Sequence, residues 1–490
     1  MTGKRLFTLA PLIAALAACA VGPDFRTPAA PQASGYTRGA LADAAATLAV
    51  GTAIAAQWWK AYGSPELDAL VDKALARNPN IDVATANLKV AQENVAAQRG
   101  FFYPTVQAGY ARTRQNSGNT LSSPLNSGDS IFNLHAAQLS VGFVPDVFGV
   151  NRRQVESLEA QAEGQRYQLA ALRITLAANV VAAALQEAVV VEQIRLTVES
   201  IETNRGLLTH LRRMRAAGYS SAIDVATVEA ALAQAQQVLP PLNRQLEQTR
   251  DLLAVLCGDA PEQRYAPVRL DTVRVPAALP LALPSQLVRQ RPDVRAAEAQ
   301  VHAANAQVGV AIGNLLPQFQ LTALLGGAAT TFAQMFASGN AIWAIGGGVG
   351  QTLFAGGTLT ARKRAAEAAL EGALAQYRAT VITAFQNVAD TLYALDTDAQ
   401  ALKAASDAEA ANRKLLGLTQ IAFDAGYSAE PVLLNARLLV LQASLTRLQS
   451  LGTYLVDTTA LFQAMGGDWA TATASDARSQ ASTAGAAPRQ

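Results

Sequence analysis

Cysteine is nearly absent from this chain of 490 residues, which has two, Cys19 and Cys257. Cys19 closes an export-like leader, so Cys257, beside the apolar run Leu252 to Leu256, has no partner for an internal disulfide and reads as a small buried hydrophobe. Histidine is scarce as well: His135, His210 and His302 are too scattered to suggest a metal site. No nucleophile elbow, P-loop, zinc motif or dinucleotide fingerprint occurs, so neither an enzyme nor a cofactor is expected. No excess of one charge exists either, and a net charge of +2 points to no nucleic-acid partner. Aromatic residues make up only 6% and charged residues 16%, whereas half the chain is hydrophobic and alanine is abundant. That balance suits long helices packed closely side by side. After the leader no segment approaches the roughly 18 uncharged apolar residues of a membrane helix, so any spanning structure is expected to be made of strands.

What is present begins with Lys4 and Arg5, followed by an apolar stretch from Leu6 to Ala18. Residues 1–18 read as a signal peptide, too short to span a membrane. Leu16-Ala17-Ala18-Cys19 matches the bacterial lipobox, which makes Cys19 the expected lipidated N-terminus of the mature chain. Ala20 is not the Asp that retains lipoproteins at the inner membrane, so the outer membrane is the expected address. Residues 19–63, rich in Pro, Ala and Gly, read as an extended segment leading from that anchor.

Beyond it the chain says nearly the same thing twice. Asn78-Pro79-Asn80-Ile81 recurs as Arg291-Pro292-Asp293-Val294, and Gly100-x-x-x-Pro104 as Gly313-x-x-x-Pro317. Ala217-Gly218-Tyr219-Ser220 returns unchanged at Ala425-Gly426-Tyr427-Ser428, and Gly258-Asp259 is matched with Gly467-Asp468. The spacing is far longer than a solenoid period of roughly 20 to 50 residues, so one structural half has been duplicated and fused. The first repeat is read as 64–259, the second as 285–469, with a proline-rich linker at 260–284 and a disordered tail at 470–490.

Each half carries the same textures. Helical periodicity starts near Pro65 and again after Pro79. From about 151 to 217, and again from about 358 to 425, apolar residues step by three, four or seven, predicting helices of roughly 65 residues, on the order of 100 Å long, with coiled-coil packing. Gly218 and Gly426 suit the left-handed residue that closes such helices, and Ser221 with Asp224 resembles a capping box that starts the return. Pro240-Pro241 is expected to bend the first returning helix sharply. Residues 104–114, 131–144, 317–326 and 341–354 alternate apolar with small or polar side chains and read as two strand hairpins. Four strands cannot close a barrel, and open edges are forbidden in lipid, so closure demands several protomers; three would supply twelve strands.

On these residues the chain resembles the outer-membrane efflux protein family, the TolC-like channels, and within it the lipoprotein branch of OprM- and NodT-type proteins. The resemblance is carried by Cys19 to Phe25 with Pro28, by Arg291 to Ala299 running on to Asn305-Ala306 and Leu316-Pro317, and by the two Ala-Gly-Tyr-Ser turns. It implies a mainly α trimeric channel: a 12-stranded transmembrane β-barrel, four strands per protomer, continued by a long α-helical periplasmic barrel. It also implies docking on a periplasmic adaptor and an inner-membrane pump of RND type, with passive conduction of drugs or other small molecules to the exterior. Two other readings remain open, a lipid-anchored periplasmic coiled-coil scaffold without a pore and a protein-secretion duct.

The turns are then the expected gate and docking surface. Gly218, Tyr219, Ser220, Gly426, Tyr427 and Ser428 are the docking candidates, and Arg215, Asp224, Phe423, Asp424 and Asn435 the gate candidates. For Asp224 a capping role is the competing reading. Relatives place an Asp where this chain has Asn435, so a ring formed there by three copies would be neutral.

Overall fold

The computed structural model describes residues 20–31, 33, 35–39, 48–51, 54–118, 129–276 and 279–466. The signal peptide, Cys19 and the tail lie outside the described residues. Strand β1 (Leu48–Val50) precedes helices α1 (Pro65–Arg77) and α2 (Pro79–Arg99), strands β2 (Thr105–Asn116) and β3 (Ile131–Phe143), and helices α3 (Val150–Ala216) and α4 (Ala222–Leu256). After β4 (Leu279–Leu281) the order repeats: α5 (Pro284–Gln290), α6 (Pro292–Gly313), β5 (Gln318–Ala329), β6 (Ala341–Gly350), α7 (Thr358–Asp424) and α8 (Glu430–Ala464). Both long helices have 67 residues and both returning helices 35, so the duplication is kept to the residue in the helical hairpins.

Local chemistry explains the boundaries. Proline opens α1, α2, α5 and α6, where a missing N–H costs nothing, and the Ser64 side chain caps α1 by accepting from the Leu67 N–H at 3.4 Å. Each long helix ends on a glycine with positive φ, +83° at Gly218 and +77° at Gly426. The N–H of the following tyrosine bonds back to the carbonyl five residues earlier, Tyr219 to Met214 and Tyr427 to Ala422, both at 2.8 Å. This is the Schellman closure, and it needs the left-handed residue that only glycine supplies cheaply.

Contacts divide the chain into two units. One, formed by residues 1–28, 87–165 and 297–377, holds β2, β3, β5 and β6 in a single antiparallel sheet of order β2-β3-β5-β6. Beneath the sheet the N-terminal segment is clamped by side chains of α3 and α6. Arg153 donates to the Val21 carbonyl at 3.1 Å and to the Asp24 carboxylate at 2.8 Å, and Asn305 donates to the Pro23 carbonyl at 2.9 Å. Phe25 stacks on His302 at 4.2 Å, and His302 in turn lies 2.9 Å from Glu156. Gly22 lies against the backbone of Gly309: a Cβ on Gly22 would lie 2.5 Å from the Gly309 Cα, and a Cβ on Gly309 would lie 2.9 Å from the Arg153 side chain and 3.0 Å from the Val21 carbonyl oxygen.

The other unit, residues 29–86, 166–296 and 378–490, is helical apart from a small parallel pair, β1 with β4. The segment read as a linker thus contains a strand, and the second half begins at Pro284. Leucines and valines of α3 and α8 form the core between the hairpins, with Val189 and Leu196 packed on Leu441 and Leu448. Tyr62 is fully buried, its hydroxyl 2.8 Å from the Thr459 hydroxyl, and Trp58 stacks on Phe462 at 5.0 Å. Cys257 is buried, as expected.

Two expectations are corrected, one on α3 and one on the glycine after α8. A window of α3 is long and apolar enough to cross a membrane by composition, but 67% of it is buried inside the chain, so it is a core helix. Pro240 and Pro241 lie inside α4 without interrupting it. The carbonyls left without N–H donors belong to Gln236 and Gln237, both on the exposed side, where water can satisfy them. The structural counterpart of Gly258 is Gly466, the left-handed residue after α8 with φ +83°, rather than Gly467.

Candidate functional site

Pairing in the sheet sorts its side chains into two faces. Val106 stands opposite Val141, Val141 opposite Ala323, and Ala323 opposite Ile345; the next row runs Ala108, Leu139, Leu325 and Trp343. With Phe143, Phe319, Leu321 and Val349 these make one apolar face, on which Ile345 and Trp343 remain 80% and 73% exposed. The opposite face carries Gln107, Ser140, Gln138, Gln320 and Thr322 among glycines and alanines, together with Phe132, Leu134, Leu324 and Ile342. Gly346, Gly348 and Gly350 belong to it, so the glycine run of β6 keeps that face low and bears no phosphate-binding geometry. Aromatics gather at the two ends of the strands. Phe148 lies 6.2 Å from Phe319 at one end, and Tyr110 packs on Phe332 and Phe332 on Phe336 at the other. A belt of apolar side chains between aromatic rims, on strands of 10 to 13 residues, is the pattern of a lipid-facing barrel wall. Among the described residues, the edge strands β2 and β6 are each paired on one side only.

The helical unit holds the two turns, and the structure places the candidate residues there in three groups. Gly218, Tyr219, Ser220 and Asp224 surround the first turn, with Arg215 one turn earlier on α3. Tyr219 projects with 80% of its surface exposed. Asp224 is a cap: its carboxylate accepts the Ser221 N–H and hydroxyl, both at 2.8 Å, while its own N–H reaches Ser221 Oγ at 3.1 Å. The Ser221 N–H, then the Ser221 and Ser220 hydroxyls, hold the Asp224 carboxyl below its ordinary range. Phe423, Asp424, Gly426, Tyr427 and Ser428 surround the second turn, where Tyr427 is 89% exposed and the Asp424 carboxylate accepts from Gln420 at 2.9 Å. That turn has no side-chain cap; Ala429 stands at the N-cap and Pro431 in the first turn. Asn435 is apart from both, exposed on α8, and among the described residues no ion pair joins Arg215 to Asp424.

Two ties between the hairpins were missed from the sequence. His210 Nδ1 lies 2.6 Å from Glu430 Oε2, and Arg437 donates to Glu199 at 2.8 Å. The Arg437 hydrogen bond, partly opposed by burial, holds Glu199 below the usual carboxylate range. Each pair spans more than 200 residues of chain, so no local pattern could reveal it; the one available signal was Glu430 in the first turn of a helix, where an acid is favoured. Among the described residues no cluster of His, Cys, Asp and Glu could hold a metal ion.

A family model described as outer membrane efflux protein matches residues 70–259 and 283–467. The toluene efflux pump outer membrane protein TtgC of Pseudomonas putida is 29% identical over 470 residues, covering 95% of this chain and 96% of TtgC. The pyoverdine export outer membrane protein OpmQ of Pseudomonas aeruginosa is 28% identical over 433 residues, covering 84% of this chain and 87% of OpmQ. Among solved structures the outer-membrane channel OprN matches with a TM-score of 0.82 at 28% identity, over 92% of this chain and 100% of that one. The fold class is that of the trimeric TolC-like outer-membrane channels, mainly helical with one four-stranded antiparallel sheet per chain.

Proposed function

The chain belongs to the outer membrane efflux protein family and is the outer-membrane channel of an efflux system, and we propose that it is the passive exit duct of a tripartite pump. Three copies close their sheets into one twelve-stranded barrel, a periplasmic adaptor grips the helical turns, and an inner-membrane pump of RND type feeds the duct. The observation that carries this reading is the sheet itself. It has one apolar face between aromatic rims and two edges with unpaired backbone groups, which lipid does not tolerate. No step of chemistry is required of the chain. Toluene and pyoverdine, named for two relatives, share no scaffold, as suits a conduit that follows whatever pump supplies it.

The anchor fits the same scheme. The Val21 N–H bonds to the Phe148 carbonyl at 3.1 Å, and a Cβ on Gly149 would lie 2.8 Å from the Ala20 Cα, so the residue that follows Cys19 is docked just below β3. A lipid on Cys19 would enter the inner leaflet of the outer membrane there. Tyr219 and Tyr427, with Gly218, Ser220, Gly426 and Ser428, form the adaptor surface in this reading; Phe423, Asp424 and Arg215 belong to the gate, with Asn435 neutral and Asp224 a cap.

The test is electrophoretic and electrical. The purified protein is expected to migrate as a heat-modifiable trimer and to give single-channel currents in planar bilayers, and Cys19→Ala to abolish palmitate incorporation. A monomer that gives no current would leave a periplasmic scaffold and end this reading.

A further inference from the structure

One group of side chains on the sheet has no part in a passive wall. Along β2 the apolar face runs through Val106, Ala108 and Tyr110 and then becomes cationic at Arg112 and Arg114. Opposite them on β3, on the same face, stand His135 beside Arg112 and Asn133 beside Arg114. These positions lie at the end of the hairpin away from α2 and α3, next to the connection between β2 and β3.

Depth and charge both point to a ligand. Tyr110 marks the rim of the apolar belt: its ring packs on Phe332 at 5.7 Å and its hydroxyl lies 2.9 Å from His135 Nδ1. Amphipathic rings take that place at a membrane interface. Arg112 and Arg114 follow one and two pleats further out, at head-group depth. With the Tyr110 hydroxyl as donor, His135 Nε2 carries the ring proton and becomes a third donor. Among the described residues neither arginine makes an ion pair. The sole carboxylate in the described part of this hairpin, Asp129, lies beyond the Asn116–Ile131 pair and has contacts of its own. Two arginines whose backbone positions lie about 7 Å apart on one face of one strand present forked guanidinium groups suited to phosphate oxygens.

We propose that Arg112, Arg114 and His135 bind the phosphorylated head group of an outer-leaflet lipid against the outer wall of the barrel. This rests on the reading of the sheet as a lipid-facing wall. The site selects lipids by phosphate, and it holds a particular lipid beside the hairpin that carries the β2–β3 connection.

Native mass spectrometry of the purified trimer tests it, with diphosphorylated lipid A, its dephosphorylated form and inorganic phosphate as probes. Diphosphorylated lipid A is expected to bind and the dephosphorylated form not. Arg112→Gln with Arg114→Gln is expected to weaken binding about 30-fold, while the paired lysine variants retain most of it. Equal binding by the double glutamine variant, equal binding of dephosphorylated lipid, or displacement by millimolar inorganic phosphate would each overturn the proposal. Heat-modifiable migration of each variant verifies folding. Conducting wild-type trimers without phosphate-selective lipid binding refute this site alone, whereas a chain that neither reaches the outer membrane nor conducts refutes the channel reading beneath it.

Discussion

Asn78 and Arg291 play matching parts in the two halves: each sits just before the proline that opens a helix, and each donates from its side chain to the last carbonyl of a returning helix. Asn78 Nδ2 reaches the Leu256 carbonyl and Arg291 Nη1 the Ala464 carbonyl, both at 2.8 Å. Those carbonyls have no partner within their own helix, so the side chains finish the hydrogen bonding that helix geometry leaves open. Arg291 also forms a two-point contact with Asp293, at 3.0 and 2.6 Å. Asn78→Ala is therefore expected to cost about 1 to 2 kcal/mol and Arg291→Ala more, because it strands both a carbonyl and a carboxylate. The temperature at which the trimer dissociates on a gel measures both; an Asn78 variant less stable than the Arg291 variant would count against this ranking.

The two faces of the sheet make opposite forecasts for the same new charge. Ile345→Arg puts a cation in the middle of the apolar face, which costs about 2 to 4 kcal/mol near the bilayer midplane. Thr322→Arg lies on the neighbouring strand, opposite Gly346, but on the polar face. The first is expected to reduce folded protein in the outer-membrane fraction, and the second to insert normally and shift ion selectivity toward anions in a reversal-potential measurement. The reverse pattern would mean that the faces have been assigned the wrong way round.

Much of this architecture was legible because it obeys short periods. Alternation by two located all four strands to within a few residues, and the Gly-Tyr turns announced themselves through glycine's access to positive φ. What could not be read depends on groups that are distant in the chain. Gly22 against Gly309, Asp24 against Arg153 and Phe25 on His302 place the N-terminal segment, and no spacing rule links those positions. Matching by dipeptide favoured Gly467 because Asp468 follows it, whereas the backbone selects Gly466 by the length of α8. The buried window of α3 shows a related limit: composition measures how apolar a helix is, not whether lipid or Leu441 and Leu448 will cover it.

Acidity supplies a further forecast. Burial, with the Asp457 carboxyl beside it, pushes Asp398 on α7 up from 3.8 to about 6. The folded chain then holds a proton that the unfolded chain releases above about pH 4, so this residue makes the folded state progressively less stable as pH rises from about 4 to about 6. Above that range its effect is constant. Asp398→Asn is expected to flatten this part of the curve of melting temperature against pH and to raise the melting temperature at pH 7.5. Parallel curves for the variant and the wild type would remove Asp398 as the cause.

In the proposed gate, ties and plugs are separate. His210 with Glu430 and Arg437 with Glu199 draw one hairpin against the other at ion-pair distance, while Phe423 and Asp424 stand at the end of α7 with no partner in the first hairpin among the described residues. Loosening a tie should let the helices separate; shortening a plug should widen the opening with the helices left in place. Glu430→Gln and Arg437→Ala are therefore expected to raise the frequency of open events in planar bilayers. Phe423→Ala and Asp424→Ala are expected to raise the residual current of the closed state instead. If both plug variants leave the closed-state current unchanged, the constriction lies elsewhere on the helices and the assignment to the end of α7 is wrong.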